Sequence, residues 1–164
     1  MASDILIVDD EADIRELVAG ILQDEGHGTR TARDSDEALS AIVARQPNLV
    51  FLDIWLRGSR LDGFQLLDSL KQQHPKLPIV MISGHGDAET AIRVIKRGAY
   101  DLIEKPFKAD RLMLVAERAL ENSRFKRAGQ WCTQLRRWPG TVPEQCQALE
   151  GRSEVADVPA RCGP

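Results

Sequence analysis

The chain has 164 residues, 43% of them hydrophobic, and a formal charge of −3 from 22 Lys and Arg against 25 Asp and Glu. That length and apolar content suit one ordinary domain with its own core, and the small, interspersed charge excludes binding to nucleic acid or a membrane surface by bulk electrostatics. No apolar run approaches the ~18 residues of a membrane span, and the N-terminus lacks the basic and apolar regions of a signal peptide, so a cytoplasmic location is expected.

The first element is ILIV at 5–8. Ile5, Ile7 and Val8 are β-branched and no residue of the run is polar, which predicts a short strand buried on both faces. It runs straight into Asp9 and Asp10, with Glu11 behind them. Mutual repulsion and desolvation both oppose ionisation of such neighbours, so the acidic run needs an explanation. Ile14, Leu17, Val18, Ile21 and Leu22 then recur at helical spacing up to Gly26, a residue type that tolerates the left-handed backbone at helix ends.

HGTRTAR (27–33) predicts a second strand, polar enough for a sheet edge or its neighbour. Asp34 and Glu37 have the spacing of a capping box before a helix around Ala38 to Ala44. NLVFLD (48–53) predicts a third, buried strand that ends on a carboxylate. Leu67 and Leu70 mark a helix between Asp62 and His74, halted by Pro75. PIVMIS (78–83) predicts a fourth buried strand, ending on a hydroxyl. Asp87 can cap a helix whose apolar stripe is Ala88, Ala91, Ile92 and Ile95, closed by Gly98. YDLIEK (100–105) predicts a short fifth strand, and Leu112, Val115, Ala116 and Ala119 a final helix.

Composition changes near Arg124. Residues 1–123 carry 15 Lys and Arg against 21 Asp and Glu, a charge of −6, and residues 124–164 carry +3. Cys132, Cys146 and Cys162, whose spacing fits neither a zinc site nor a redox pair, all lie in this tail and read as incidental thiols. The tail shows no sustained period and is expected to be irregular and disordered.

Five strands alternating with five helices predict an α/β fold with a parallel sheet, right-handed crossovers and helices on both faces. Ligands of such sheets sit beyond the carboxyl ends of the strands. Asp9 and Asp10, Asp53, Ser83 and Lys105 end four of them, so all can converge at one edge. A hard divalent cation such as Mg²⁺ would neutralise the carboxylates, and an aspartate beside it can act as a nucleophile toward a phosphoryl group. Lys105 and Ser83 supply an ammonium and a hydroxyl for the charge that develops on the transferred group. Read singly, Lys105 is a surface lysine and Ser83 a helix cap or turn residue; His27, His74 and His85 lack ligand spacing.

VDD near the N-terminus, LDI at the third strand, ISG at the fourth and EKPF at the fifth together resemble the receiver domain of two-component response regulators, over about residues 3–121. The resemblance implies a flavodoxin/CheY-like, doubly wound five-stranded parallel sheet with five helices, a receiver domain at 1–123 and an irregular tail at 124–164. It implies that Asp53 accepts a phosphoryl group from a sensor histidine kinase, and that Mg²⁺ is held by Asp10, Asp53 and the backbone carbonyl of Trp55, with Asp9 acting through water. Lys105 would pair with the phosphoryl oxygens and Ser83 would move to bond them. The Lys105–Pro106 bond is expected to be cis. Such a domain acts on its own aspartate and is not a turnover enzyme.

The finer resemblance is to NtrX-type regulators of the nitrogen-regulation group, which implies an NtrY-like kinase. Within LDIWLRGSRLDG, Arg57 stands where most receivers have proline, and the segment between Asp53 and Asp62 is longer by two residues, so that Gly58 and Ser59 make an unusual loop. The aromatic switch position three residues before the lysine is Leu102, and Tyr100, on the same face by strand alternation, is not the motif residue. Trp55 and His85 occupy places that in this family influence attacking water, and Trp55 is expected to shield the phosphoaspartate.

Three rivals stand beside this reading. A haloacid-dehalogenase-like phosphatase would want a second acid where Trp55 stands. A flavodoxin-like flavin carrier would want a hydroxyl-rich phosphate loop where DDEAD stands, and a receiver-like module that is never phosphorylated would normally lack one of the site residues. No GxxxxGK[ST] occurs and the tail is too short and irregular for either module, so neither an ATPase nor a DNA-binding module is expected in this chain. The tail's Trp, Cys, Arg and Pro content resembles a GC-rich frame read out of register, which predicts a frameshifted or truncated gene product. Switching is expected to expose or hide a homodimer face on the last helices, with Leu114 and Leu120 off the core stripe.

Overall fold

The computed structural model describes residues 2–135, and the side chains of residues 2–123. Its elements run β1 (Asp4–Val8), α1 (Ala12–Asp24), β2 (Gly28–Ala32), α2 (Ser35–Ala44), β3 (Leu49–Asp53), α3 (Gly63–Gln73), β4 (Ile79–Ser83), α4 (Ala88–Lys96), β5 (Asp101–Glu104) and α5 (Ala109–Leu135). All strand pairs are parallel, in the order β2-β1-β3-β4-β5. The polar second strand is thus an edge, and the buried first, third and fourth strands form the middle. Every residue of β3 and β4 is buried, as continuous apolar runs covered on both faces require.

Strand alternation divides the core in two. Leu6, Val8, Val50, Leu52, Ile79 and Met81 face α2, α3 and α4, with Leu67, Leu70 and Val94 among the helical partners. Ile5, Ile7, Phe51, Val80 and Ile82 face the other way, onto Val18 and Leu22 of α1 and Leu112, Val115, Ala116 and Ala119 of α5.

Local signals act where the sequence places them, with instructive exceptions. Asp34 accepts the Glu37 amide, but the Glu37 carboxylate accepts from Arg33 N–H, so the reciprocal half of that capping box is absent. The complete box is on α3, where Asp62 accepts the Gln65 amide and Gln65 accepts the Asp62 amide. On α1, Leu17 is 52% exposed although it shares the helical period with the buried Val18 and Leu22.

The apolar stripe expected on α4 does not enter the core. Only Val94 is buried, whereas Ile92 and Ile95 are exposed. Helical period identifies an apolar face but not whether a neighbour covers it. Leu120 is likewise buried, among the α5 residues on the core, and only Leu114 of the expected pair is exposed. Tyr100 and Leu102 pack on opposite sides of the sheet, because Tyr100 precedes the strand and escapes its alternation.

The helical backbone of α5 continues through residues 124–135, where the lack of an apolar period predicts an irregular chain. That stretch holds good helix formers, with one glycine and no proline, and propensity does not need a period. The remaining tail, 136–164, with Cys146 and Cys162, lies outside the described residues. Among the described residues no helix is long and apolar enough to cross a membrane.

Candidate functional site

In the order β2-β1-β3-β4-β5 the chain leaves β1 toward one edge and returns to β3 on its other side, which opens a crevice beyond the carboxyl ends of those two strands. Asp9 and Asp10 follow β1, Asp53 ends β3, Ser83 ends β4 and Lys105 follows β5, so a parallel sheet delivers them to one rim. Here a cleft of about 460 Å³ is lined by Asp10, Glu11, Asp53, Trp55, Arg57 and Lys105, among others.

Backbone bonds fix these side chains. Asp9 donates its N–H to Ala32 O, accepts the Glu11 amide on Oδ1 at 2.8 Å, and has its carbonyl held by Arg15 at 2.7 Å. Asp53 Oδ1 accepts the Trp55 amide at 3.3 Å. The loop after β3 returns so closely that Gly63 N–H bonds to Ile54 O, and a Cβ on Gly63 would press on the Asp53 carbonyl oxygen and lie 2.6 Å from Ile54 Cα. Only glycine fits at that approach. The Lys105–Pro106 peptide is cis, and Lys105 N–H bonds to Ser83 O at 2.7 Å.

Lys105 Nζ lies 3.0 Å from Asp9 Oδ2 and 3.4 Å from both Asp53 Oδ2 and Glu11 Oε1. One ammonium therefore faces three carboxylates. Asp9 is fully buried and Asp53 is 3% exposed. Asp9 Oδ2, although within ion-pairing distance of Lys105, accepts no hydrogen bond among the described residues. Burial, followed by the charge on Asp9, outweighs Lys105 and pushes the Asp53 carboxyl up to about 7. Burial also raises Asp9, against the Glu11 amide and Lys105. Burial pulls the Lys105 ammonium down, but Asp9, Asp53 and Glu11 outweigh it and hold its pKa above the usual lysine value.

One carboxylate oxygen from each of Asp9, Asp10, Glu11 and Asp53 lies within 4.8 Å of the others. Four carboxylates against the one ammonium that reaches them among the described residues leave oxygen donors in excess of local positive charge, which fits a hard divalent cation. Glu11 is the member that sequence reasoning leaves unassigned. Its signal is the uninterrupted DDE run, but an acid at a helix start has an ordinary dipole explanation.

Not every expected residue joins the cluster. The Ser83 hydroxyl is fully buried in its own loop, where it donates to His85 O at 2.8 Å and accepts the His85 amide at 3.1 Å. Leu102 packs against the α2–α4 side of the core. Trp55 lines the cleft with 62% of its surface exposed, and His85 lines it as well.

Comparison with known proteins shows the family and the fold. The family described as response regulator receiver domain matches residues 5–117. The nitrogen assimilation regulatory protein NtrX of Azorhizobium caulinodans is 61% identical over 155 residues, which cover 94% of this chain and 32% of that protein. A putative NtrX-like response regulator of Rickettsia bellii is 48% identical over 124 residues, 76% of this chain and 26% of that one. The crystal structure of the receiver domain of NtrX from Brucella abortus superposes with a TM-score of 0.70 at 75% identity, covering 72% of this chain and 98% of that one. The chain thus spans about a third or less of the length of these curated relatives.

Proposed function

The chain belongs to the family of response regulator receiver domains, in its NtrX type, and from that membership we propose that Asp53 is its phosphoacceptor. One observation carries the reading. Lys105 Nζ stands 3.4 Å from the Asp53 carboxylate and 3.0 Å from Asp9, beside the acidic group that Asp10 and Glu11 complete. The receiver unit is residues 1–123, and receiver domains of this kind are not turnover enzymes.

The donor is the phosphohistidine of a sensor kinase, NtrY-like by the family resemblance, and a cytoplasmic location follows from that partner. An Asp53 Oδ attacks phosphorus as the P–N bond breaks. The electron pair leaves with the imidazole nitrogen, and a proton already on the other ring nitrogen makes the leaving group neutral. Lys105 is near enough to follow the phosphoryl oxygens while keeping Asp9 as counter-ion. Asp10, Asp53 and the Trp55 carbonyl would hold Mg²⁺, with Asp9 acting through water. When bound, Mg²⁺ supplies positive charge that favours the ionised Asp53 and complements phosphoryl oxygens.

Ser83 reaches the transferred group only by giving up its bond to His85 O, and that exchange is the proposed switch, which Leu102 accompanies. Ile92, Ile95 and Leu114, exposed on α4 and α5, are the proposed homodimer face. The test is intact-mass analysis after treatment with a small phosphodonor and Mg²⁺, with sedimentation of the same samples. The wild type gains one phosphoryl group and shifts toward dimer, and Asp53→Asn does neither. Equal labelling of both proteins sinks the assignment.

A further inference from the structure

A lysine and an arginine line the cleft, and they differ in what they already hold. Lys105 is engaged by Asp9, Glu11 and Asp53. Arg57 is exposed and makes no hydrogen bond or ion pair among the described residues, although Asp10, Glu11, Asp53 and Asp62 line the same cleft. Its place is nonetheless built. Leu56 before it is buried, and Gly58 after it turns the chain at φ +71°, a conformation suited to glycine. Ser59 N–H closes the turn onto Leu56 O at 3.3 Å.

The loop is then docked on the start of α2. Ser35, fully buried, donates its N–H to Ser59 Oγ at 2.9 Å and accepts Leu61 N–H on its own Oγ at 3.2 Å. Arg60 pairs with Asp36 at 3.1 Å. These contacts hold the backbone on both sides of Arg57 and leave its guanidinium uncommitted at the rim.

A phosphodonor brings a doubly negative phosphoryl group into a cleft walled by carboxylates. A guanidinium presents paired donors that match two phosphoryl oxygens at once, which an ammonium cannot do. We infer that Arg57 binds the phosphoryl group of the incoming donor and positions it for Asp53, setting the cleft's affinity for donors; this rests on the phosphoacceptor reading above. With acetyl phosphate, the Asp53 Oδ–P bond forms as the acyl O–P bond breaks. Acetate leaves with the electron pair, and no proton moves.

The test uses the full chain as wild type, Arg57→Gln and Arg57→Lys, with Mg²⁺ and graded acetyl phosphate, following labelled mass against time. In parallel, binding of inorganic phosphate is read from tryptophan emission, since Trp55 lines the cleft. Arg57→Gln should need about tenfold more donor for half-maximal labelling, with a maximal rate within about twofold, and should bind phosphate correspondingly less well. Arg57→Lys should fall between. Wild-type donor dependence in Arg57→Gln overturns the inference, as does a lower maximal rate with unchanged donor dependence, which would mean that the residue only shapes the loop. In either case a labelled wild type leaves Asp53 standing. A wild type that takes no phosphoryl group overturns both.

Discussion

Replacing Asp53 by asparagine should stabilise the protein in the absence of divalent cation, increasingly as the pH rises from about 5 to about 7. In the folded state the Asp53 carboxyl sits at about 7, against an ordinary 3.8. The folded protein therefore binds the proton more tightly than the unfolded chain. The resulting stability is complete below about pH 4 and is lost as the pH rises toward and through 7. At full ionisation this difference in proton affinity corresponds to at most about 4 kcal/mol.

The Asp53→Asn change removes the buried charge but also one partner of Lys105, which keeps Asp9 and Glu11. A net gain of about 2 kcal/mol at pH 8 is expected, since loss of a charged partner offsets roughly half of the relief. For a folded unit of this size that is a rise of about 8 °C in Tm. The assay is thermal unfolding of both proteins with a chelator, at pH 5 and pH 8. At pH 5 the gap should be smaller by about 2.5 kcal/mol, because there only the unfolded chain is ionised and roughly 1.6 kcal/mol of the Asp53 cost has accrued. Adding Mg²⁺ to ten times its dissociation constant should restore about 1.4 kcal/mol to the wild type. A variant no more stable than wild type at pH 8, or a gap equal at both pH values, would refute the electrostatic account of this cluster.

Two further outcomes follow from the loop after β3. Gly63→Ala forces a methyl group against the Asp53 carbonyl and Ile54, and should cost about 3 kcal/mol or more in urea unfolding, with weaker phosphorylation; wild-type stability would mean that the loop yields freely. Trp55→Asn removes the exposed ring from the cleft and should shorten the life of the phosphoaspartate severalfold, read as the dephosphorylation rate. An unchanged rate would remove the shielding role.

The element order, the buried strands and the acidic strand ends are legible in the residues, because apolar period, β-branching and caps act over a few positions. ILIV, LVFLD and IVMIS state their burial by lacking any polar alternation, and Asp87 states its cap by standing ahead of Ala88 and Glu89. From parallel strands it follows that Asp9, Asp53 and Lys105 share an edge.

What the linear chain does not state is distance. That Glu11 meets Lys105, 94 positions away, follows from the 2-1-3-4-5 order and the direction in which α1 leaves β1. That Ser83 bonds its own loop, or that Ile92 and Ile95 stay uncovered while Val94 is buried, depends on which neighbours arrive. The raised pKa of Asp53 is likewise a property of assembly. Desolvation and the field of Asp9 exist only after folding has excluded water from the strand ends, and no local pattern records that exclusion.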